Sequence, residues 1–348
     1  MTVSSNNIAH GISTTSKIYV AGHRGLVGSA LMRNLRLDGY SEIITRTKEE
    51  LNLTDKSAVD SFFNDNKPEF VFLAAARVGG IMANDIYPAE FIQQNIAIGT
   101  NVIDAAWHHG VKRMLYLGSS CVYPRDCSQP ITEDKFMTGP LERTNRPYAI
   151  AKIAGIEMCS AYNRQYGTRF VAVMPTNLYG PNDNYDLQTS HVLPALIHRF
   201  HDAKVLGAAE VEAWGTGSPR REFLHVDDMA DACVFLIGLR DSDFDRLARL
   251  EAPLVNVGTG KDLTIKDLTE LVRETVGYSG SVIWDASKPD GTPRKQLDIS
   301  RLTSFGWRQK IGLREGLART YLDFKRTLDS SSSSETLQKN TAEARAVD

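Results

Sequence analysis

Lys17-Ile-Tyr-Val-Ala-Gly22-His23-Arg24-Gly25-Leu26-Val27-Gly28 decides the architecture of this chain. Its first five residues are an apolar run, the signature of a buried strand. Three glycines then follow at intervals of three, and Ser29 to Leu37 carries a helical pattern. Strand, glycine turn and helix in that order are the context a dinucleotide-binding fingerprint requires. Glycine lets the backbone turn sharply and approach a pyrophosphate, which sits at the positive end of the following helix. Residues 22–28 are therefore expected to hold a cofactor. Read without its neighbours, the same turn has a lesser alternative as a plain tight strand-to-helix connection.

Working outward, the second strand, Glu42 to Arg46, ends in Arg46-Thr-Lys48, where an NAD site would place an acid for the ribose hydroxyl. Arg24, Arg46 and Lys48 together suit a 2′-phosphate and favour NADP. Phe70 to Ala74 is a third strand that runs into Ala75. Val78 to Asn84 reads as a flexible loop, and a helix runs from about Pro88 to His109. Arg113 to Gly118 is the next strand; Leu117 and Gly118 lie at its carboxyl end, and Ser119-Ser120-Cys121 follows. Phe170 to Met174 is another, and Pro175-Thr176-Asn177-Leu178 reads as the start of a loop over the cofactor. Alternating strands and helices of this kind predict an α/β fold with a Rossmann-type doubly wound parallel sheet. The alternation stops after Pro181. A smaller α/β substrate-binding domain is expected from residues 182–223 and 258–326, the sheet of residues 17–181 being completed by a return segment at about 224–257.

Tyr148 and Lys152 stand four apart in a helical run, so phenol and ammonium share one face. An ammonium there favours the phenolate, which makes the phenol a better acid–base group than a free tyrosine of pKa about 10. Alone the spacing arises often by chance. Following a glycine turn and a strand-end serine, it is a specific constellation. Cys121 alone reads more often as a buried small hydrophobe, and His191 alone more often as a helix cap or surface residue.

Composition excludes several classes. The 348 residues are 42% hydrophobic and 24% charged with net charge −2, so no bulk attraction to nucleic acid or an anionic membrane is implied. No apolar run approaches the roughly 18 residues of a membrane helix. The four cysteines form no Cys-x-x-Cys pair and no metal spacing, which suggests free thiols and a cytoplasmic setting. Residues 1–16, rich in Ser and Thr, read as a disordered extension. Residues 327–348, with Ser330 to Ser334, read as a disordered tail.

Four strings extend the pattern: Gly22 to Gly28, Leu117-Gly-Ser-Ser-Cys-Val-Tyr-Pro124, Thr189-Ser-His-Val-Leu-Pro194 and Lys288-Pro-Asp-Gly-Thr-Pro-Arg-Lys295. From about Lys17 to Phe324 the chain resembles the extended short-chain dehydrogenase/reductase family of nucleotide-sugar enzymes, of which the spacing G-x-x-G-x-x-G is typical. Dehydratases of that family carry Thr-Asp-Glu where this chain has Ser119-Ser120-Cys121, which argues against dehydration.

The resemblance implies an NADPH-dependent enzyme acting on a GDP-linked 4-keto-6-deoxy sugar. Cys121 would remove protons at C3 and C5, and His191 would return them. Tyr148 would protonate the C4 alkoxide, Lys152 would bond the nicotinamide ribose, and Ser119 would hold the C4 oxygen. Ala74, Ala75, Leu117, Gly118, Pro175, Thr176, Asn177, Leu178 and His191 would line the cofactor. Arg199, Trp214, Arg221, Asp290 and Lys295 would hold the GDP-sugar. A homodimer is implied as well. Two rivals stay open at this point: a 4-epimerase on the same scaffold, and a cofactor sensor without catalysis.

Overall fold

The computed structural model describes residues 11–187, 189–288 and 290–345. The first half of the chain alternates. β1 (Ile18–Ala21), α1 (Leu26–Leu37), β2 (Ile43–Ile44), α2 (Lys56–Asn66) and β3 (Phe70–Leu73) come first. They are followed by α3 (Ile81–Ile86), α4 (Pro88–His108), β4 (Arg113–Leu117), α5 (Arg146–Tyr166) and β5 (Phe170–Pro175). The second half holds β6 (Asn177–Tyr179), α6 (Val192–Leu206), β7 (Glu210–Trp214), β8 (Arg220–His225), α7 (Val226–Ile237) and α8 (Asp241–Ala248). β9 (Leu254–Val257), β10 (Asp262–Thr264), α9 (Ile265–Val276), β11 (Ser281–Asp285), β12 (Arg294–Lys295), α10 (Ser300–Ser304) and α11 (Leu313–Arg345) complete it.

The main sheet is parallel throughout, in the order β2-β1-β3-β4-β5-β9. Its strands are continuous apolar runs because both faces are covered. Ile18 and Val20 pack under α1 and α7, whereas Tyr19 and Ala21 face the layer of α2, α4 and α5. β3, β4 and β5 alternate in the same way, with Phe70 and Phe72 on one side and Val71 and Leu73 on the other. The strand order reverses between β1 and β3. That is the switch point, where the carboxyl ends of parallel strands leave a crevice.

A second core joins α6, α9 and α11 through Leu196, Phe200, Val272, Leu317, Tyr321 and Phe324. β8 lies at the centre of a small sheet with β6, β10 and β12, while β7 and β11 form a separate pair.

Several expectations need correction. β2 keeps only Ile43 and Ile44 of the strand expected over 42–46, because it is the edge of the sheet and pairs on one side alone. The loop expected at Val78–Asn84 contains the start of α3. The loop expected from Pro175 contains β6, since Leu178 and Tyr179 pair with Leu224 and His225.

Residues 11–16, read as part of a disordered extension, lie against the molecule. Ile12 is buried in the main core, and Gly11 N–H donates to Gly238 O at 3.1 Å. Residues 1–10 of that extension lie outside the described residues. The tail read as disordered from 327 continues α11 as far as Arg345. Its Leu, Gln, Lys, Ala, Glu and Arg residues are good helix formers even where little apolar surface is available. Residues 346–348 lie outside the description.

Candidate active site

β1 delivers the glycine turn to the switch point. Gly22 adopts φ +82, and a Cβ there would stand 2.7 Å from the amide nitrogen of Ala75. A Cβ on Gly28 would lie 2.0 Å from Gly22 O. The turn is therefore pressed against the Ala74–Ala75 strand end, with no space for a side chain at Gly22 or Gly28. α1 begins at Gly25 without a side-chain cap, leaving its first backbone N–H groups for a ligand. An uncapped helix start cradled by glycine fits a dinucleotide pyrophosphate.

Beside it stand Arg24, Arg46 and Lys48. Arg46 lies 5.4 Å over the Phe62 ring and donates to Thr45 O at 2.7 Å. Glu49 and Glu50 sit among these cations. Hydrogen bonds within the turn hold both carboxyls below the usual range, and the charges of Arg24, Lys48 and Arg46 add to the effect.

The Tyr-x-x-x-Lys pair enters the same crevice on α5. Lys152 is buried; its Nζ donates to Leu117 O at 2.6 Å and lies 5.7 Å from the Tyr148 ring centre. Burial lowers its pKa to about 8, partly opposed by Cys121. The expected lowering of the phenol is not found. Burial raises Tyr148 well above the ordinary tyrosine value, with Cys121 and Tyr116 pushing the same way. The ammonium is held by the Leu117 carbonyl instead, and desolvation sets the direction of the phenol's shift. Tyr148 accordingly rests as a neutral phenol.

Ser119 closes β4 and caps a single helical turn at Ser120–Val122, its Oγ accepting from Cys121 N–H at 3.4 Å. Burial raises the Cys121 thiol; Lys295, then Ser119 and Lys152, oppose it. His191 is the first-turn cap position of α6, but its ring makes no capping bond. The residue is exposed, yet surrounding protein and then Lys295 hold its pKa below that of an ordinary imidazole. Sulfur and imidazole thus share one charged neighbour. β12 carries Lys295 into register with Arg221 on β8.

The five residues expected to hold the sugar nucleotide divide in two. Lys295 lies near enough to the thiol to oppose its rise, and Arg221 pairs with Lys295 in the small sheet. Arg199 stacks 4.9 Å over Trp214, which is 48% exposed and has Lys288 on it as well, at 5.7 Å. Asp290 is tied into the protein itself, accepting from Thr216 N–H at 2.7 Å and Thr216 Oγ1 at 2.8 Å. Its charge also opposes the lowering of Arg221 by burial.

Sequence reasoning missed Glu222. This carboxylate is fully buried and accepts from Gly260 N–H at 2.7 Å and Leu297 N–H at 2.8 Å. It fixes the approach of the chain to β12, and hence Lys295. The available signal was an acid inside a strand, between Arg221 and Phe223. Asp183 was missed too. Its Oδ2 is buried with no partner among the described residues, and burial raises its pKa to about 7, opposed by a bond from Asn184 N–H. Among the described residues, no cluster of three His, Cys, Asp or Glu could hold a metal ion, and no helix is long and apolar enough to cross a membrane.

A glycine cradle at a switch point, with a strand-end serine and a Tyr-x-x-x-Lys helix beside it, defines a short-chain dehydrogenase/reductase of the extended kind. The chain belongs to the NAD dependent epimerase/dehydratase family, whose profile matches residues 18–246. It is 57% identical over 307 residues to GDP-L-fucose synthase 1 of Arabidopsis thaliana, covering 88% of this chain and 92% of that one. It is 51% identical over 313 residues to GDP-L-fucose synthase of Escherichia coli K12, covering 90% and 98%. Among solved structures it is similar to the GDP-mannoheptose C4 reductase of Campylobacter jejuni with NADP bound. That likeness has a TM-score of 0.82 at 37% identity and covers 90% of this chain and all of that one.

Proposed function

We propose that this chain makes GDP-L-fucose from GDP-4-dehydro-6-deoxy-D-mannose, inverting C3 and C5 and then reducing the C4 ketone in a single pocket. One observation carries the reading: Lys295 is the charged neighbour of both Cys121 and His191, and Cys121 is in turn the neighbour of Tyr148 and Lys152. These shared neighbours support a proton-exchange pair and a reductase set that open on one crevice. Relatives at 51–57% identity bear the name GDP-L-fucose synthase, which agrees.

The neighbouring ketone makes the C3 and C5 hydrogens acidic through an enolate. Moving one proton from the Cys121 thiol to neutral His191 yields a thiolate base and an imidazolium acid. The thiolate then takes the carbon-bound proton, and His191 returns one on the opposite face. Ser119 holds the C4 oxygen. When bound, NADPH supplies the hydride for C4. Tyr148, neutral at rest, protonates the resulting alkoxide, and Lys152 holds the ribose. Residues 22–28 would take the pyrophosphate and Arg24, Arg46 and Lys48 the 2′-phosphate. The strand ends at Ala74, Ala75, Leu117, Gly118 and Pro175–Leu178, with His191, would line the rest. Arg199, Trp214, Arg221 and Lys295 would receive the GDP-sugar, with Asp290 steadying the turn beneath it.

The substrate unit comprises residues 182–223 and 258–326, the dinucleotide unit the remainder of 17–257. The chain pairs as a homodimer through α4 and α5, whose outer faces leave Ile96, Ile150 and Tyr166 about two-fifths exposed. Four free cysteines fit the cytoplasm.

The test is to supply the purified protein with the keto-sugar and NADPH in deuterated water. Consumption of NADPH, with label at C3 and C5 of GDP-L-fucose, is expected, and UDP-galactose should not turn over. NADPH binding without turnover of the keto-sugar would favour the sensor and sink the reading.

A further inference from the structure

Between β3 and α4 runs the segment Arg77–Gly80, which touches both halves of the proposed chemistry. Asn95 of α4 fixes its start from both sides: Arg77 N–H donates to Asn95 Oδ1 at 2.9 Å, and Asn95 Nδ2 donates to Arg77 O at 3.0 Å. Asn84 fixes its end, donating to Gly79 O at 2.9 Å and Gly80 O at 3.0 Å.

Toward Tyr148 the contact runs through Phe91, which is 2% exposed. The Phe91 ring meets the Tyr148 ring edge-on, with centres 6.3 Å apart at 82°. The Arg77 guanidinium, paired with Glu90 at 2.7 Å, lies 5.3 Å over that same Phe91 ring. A Cβ on Gly79 would come within 3.2 Å of it. Toward His191 the contact is one backbone bond, Gly80 N–H to Thr189 O at 3.1 Å, two residues before the imidazole.

Resting on the function proposed above, we propose that Arg77–Gly80 is a shared brace and that Arg77 and Phe91 are positioning residues for both proton-transfer groups. Through Phe91 the brace fixes the ring of Tyr148, and through Gly80 it fixes the backbone that presents His191. Displacement of about 1 Å at such groups is enough to cost a large factor in rate. Phe91 does not belong to the exchange pair, so any effect of its loss on exchange must travel through the brace.

The experiment measures deuterium exchange at C3 and C5 of the keto-sugar with NADP⁺ present, so that no hydride transfer intervenes. Phe91→Leu and Arg77→Met should each slow exchange by about tenfold. The Kd for NADPH should stay within about twofold, a split that general loss of structure would not give. Arg77 is half-buried on the surface, so its variant tests the idea even if the Phe91 variant folds poorly. Gly80→Pro removes the bond to Thr189 at a backbone angle, φ −65, that proline accepts; its ring also crowds Thr189 O, which a Cβ would meet at 3.1 Å, so it disrupts the brace on both counts and should slow exchange as well. Exchange at the wild-type rate in both Arg77→Met and Gly80→Pro overturns the brace while leaving the function standing. A wild-type protein that exchanges nothing overturns both.

Discussion

Tyr148 rests as a half-buried phenol whose pKa is raised, and this narrows its role to giving a proton. Tyr148→Phe should abolish NADPH oxidation and leave deuterium exchange at C3 and C5 largely intact; loss of both together would show that the two chemistries are not divided as proposed. Cys121→Ser should impair exchange first. Arg24 and Lys48 carry a different expectation. Replacing each by alanine should raise the Kd for NADPH about tenfold, the scale of one charge-assisted phosphate contact, and leave NADH unchanged. Equal weakening of both cofactors, read by fluorescence titration, would remove the 2′-phosphate role. Most of the candidate site could be read from the sequence, because Tyr148, Lys152, Ser119 and the glycines lie in short strings whose spacing carries geometry. Electrostatics could not be read that way. The spacing of Tyr148 and Lys152 says nothing of the Leu117 carbonyl that captures the ammonium. Glu222 was equally silent, since its partners lie 37–75 residues away in the chain.

Among the elements, the central strands were the most legible. Burial on both faces leaves β1, β3, β4 and β5 as uninterrupted apolar runs. α3, β6 and the continuation of α11 were not legible, because each is short or polar and is decided by pairing or by helix propagation rather than by composition. The loop between β6 and α6 carries the sharpest prediction at this scale. Asp183 has its folded pKa raised to about 7, so the folded state binds a proton that the unfolded chain releases near 4. Stability from this group is complete below about pH 4 and is lost progressively as pH rises to about 7, a cost of roughly 4 kcal/mol. Asp183→Asn should therefore melt above the wild type at pH 8, with the gap closing toward pH 4. A gap that does not change with pH would show that the carboxyl is not buried as described.

At the scale of the whole molecule, α4 and α5 lie side by side and turn an apolar face outward. If the proposed dimer forms through that face, Ile150→Glu places a charge on it and should leave a folded monomer, seen by sedimentation velocity with an unchanged far-ultraviolet spectrum. A variant that still sediments as the wild type does would move the interface elsewhere. Lys152 points inward from the same helix only two positions on, 3% exposed where Ile150 is 40% exposed. In the proposed dimer, one cylinder about 10–12 Å across would serve as hearth on one side and party wall on the other. In a pair joined there, the two hearths stand back to back, and each subunit's chemistry is only masonry's thickness from its twin's.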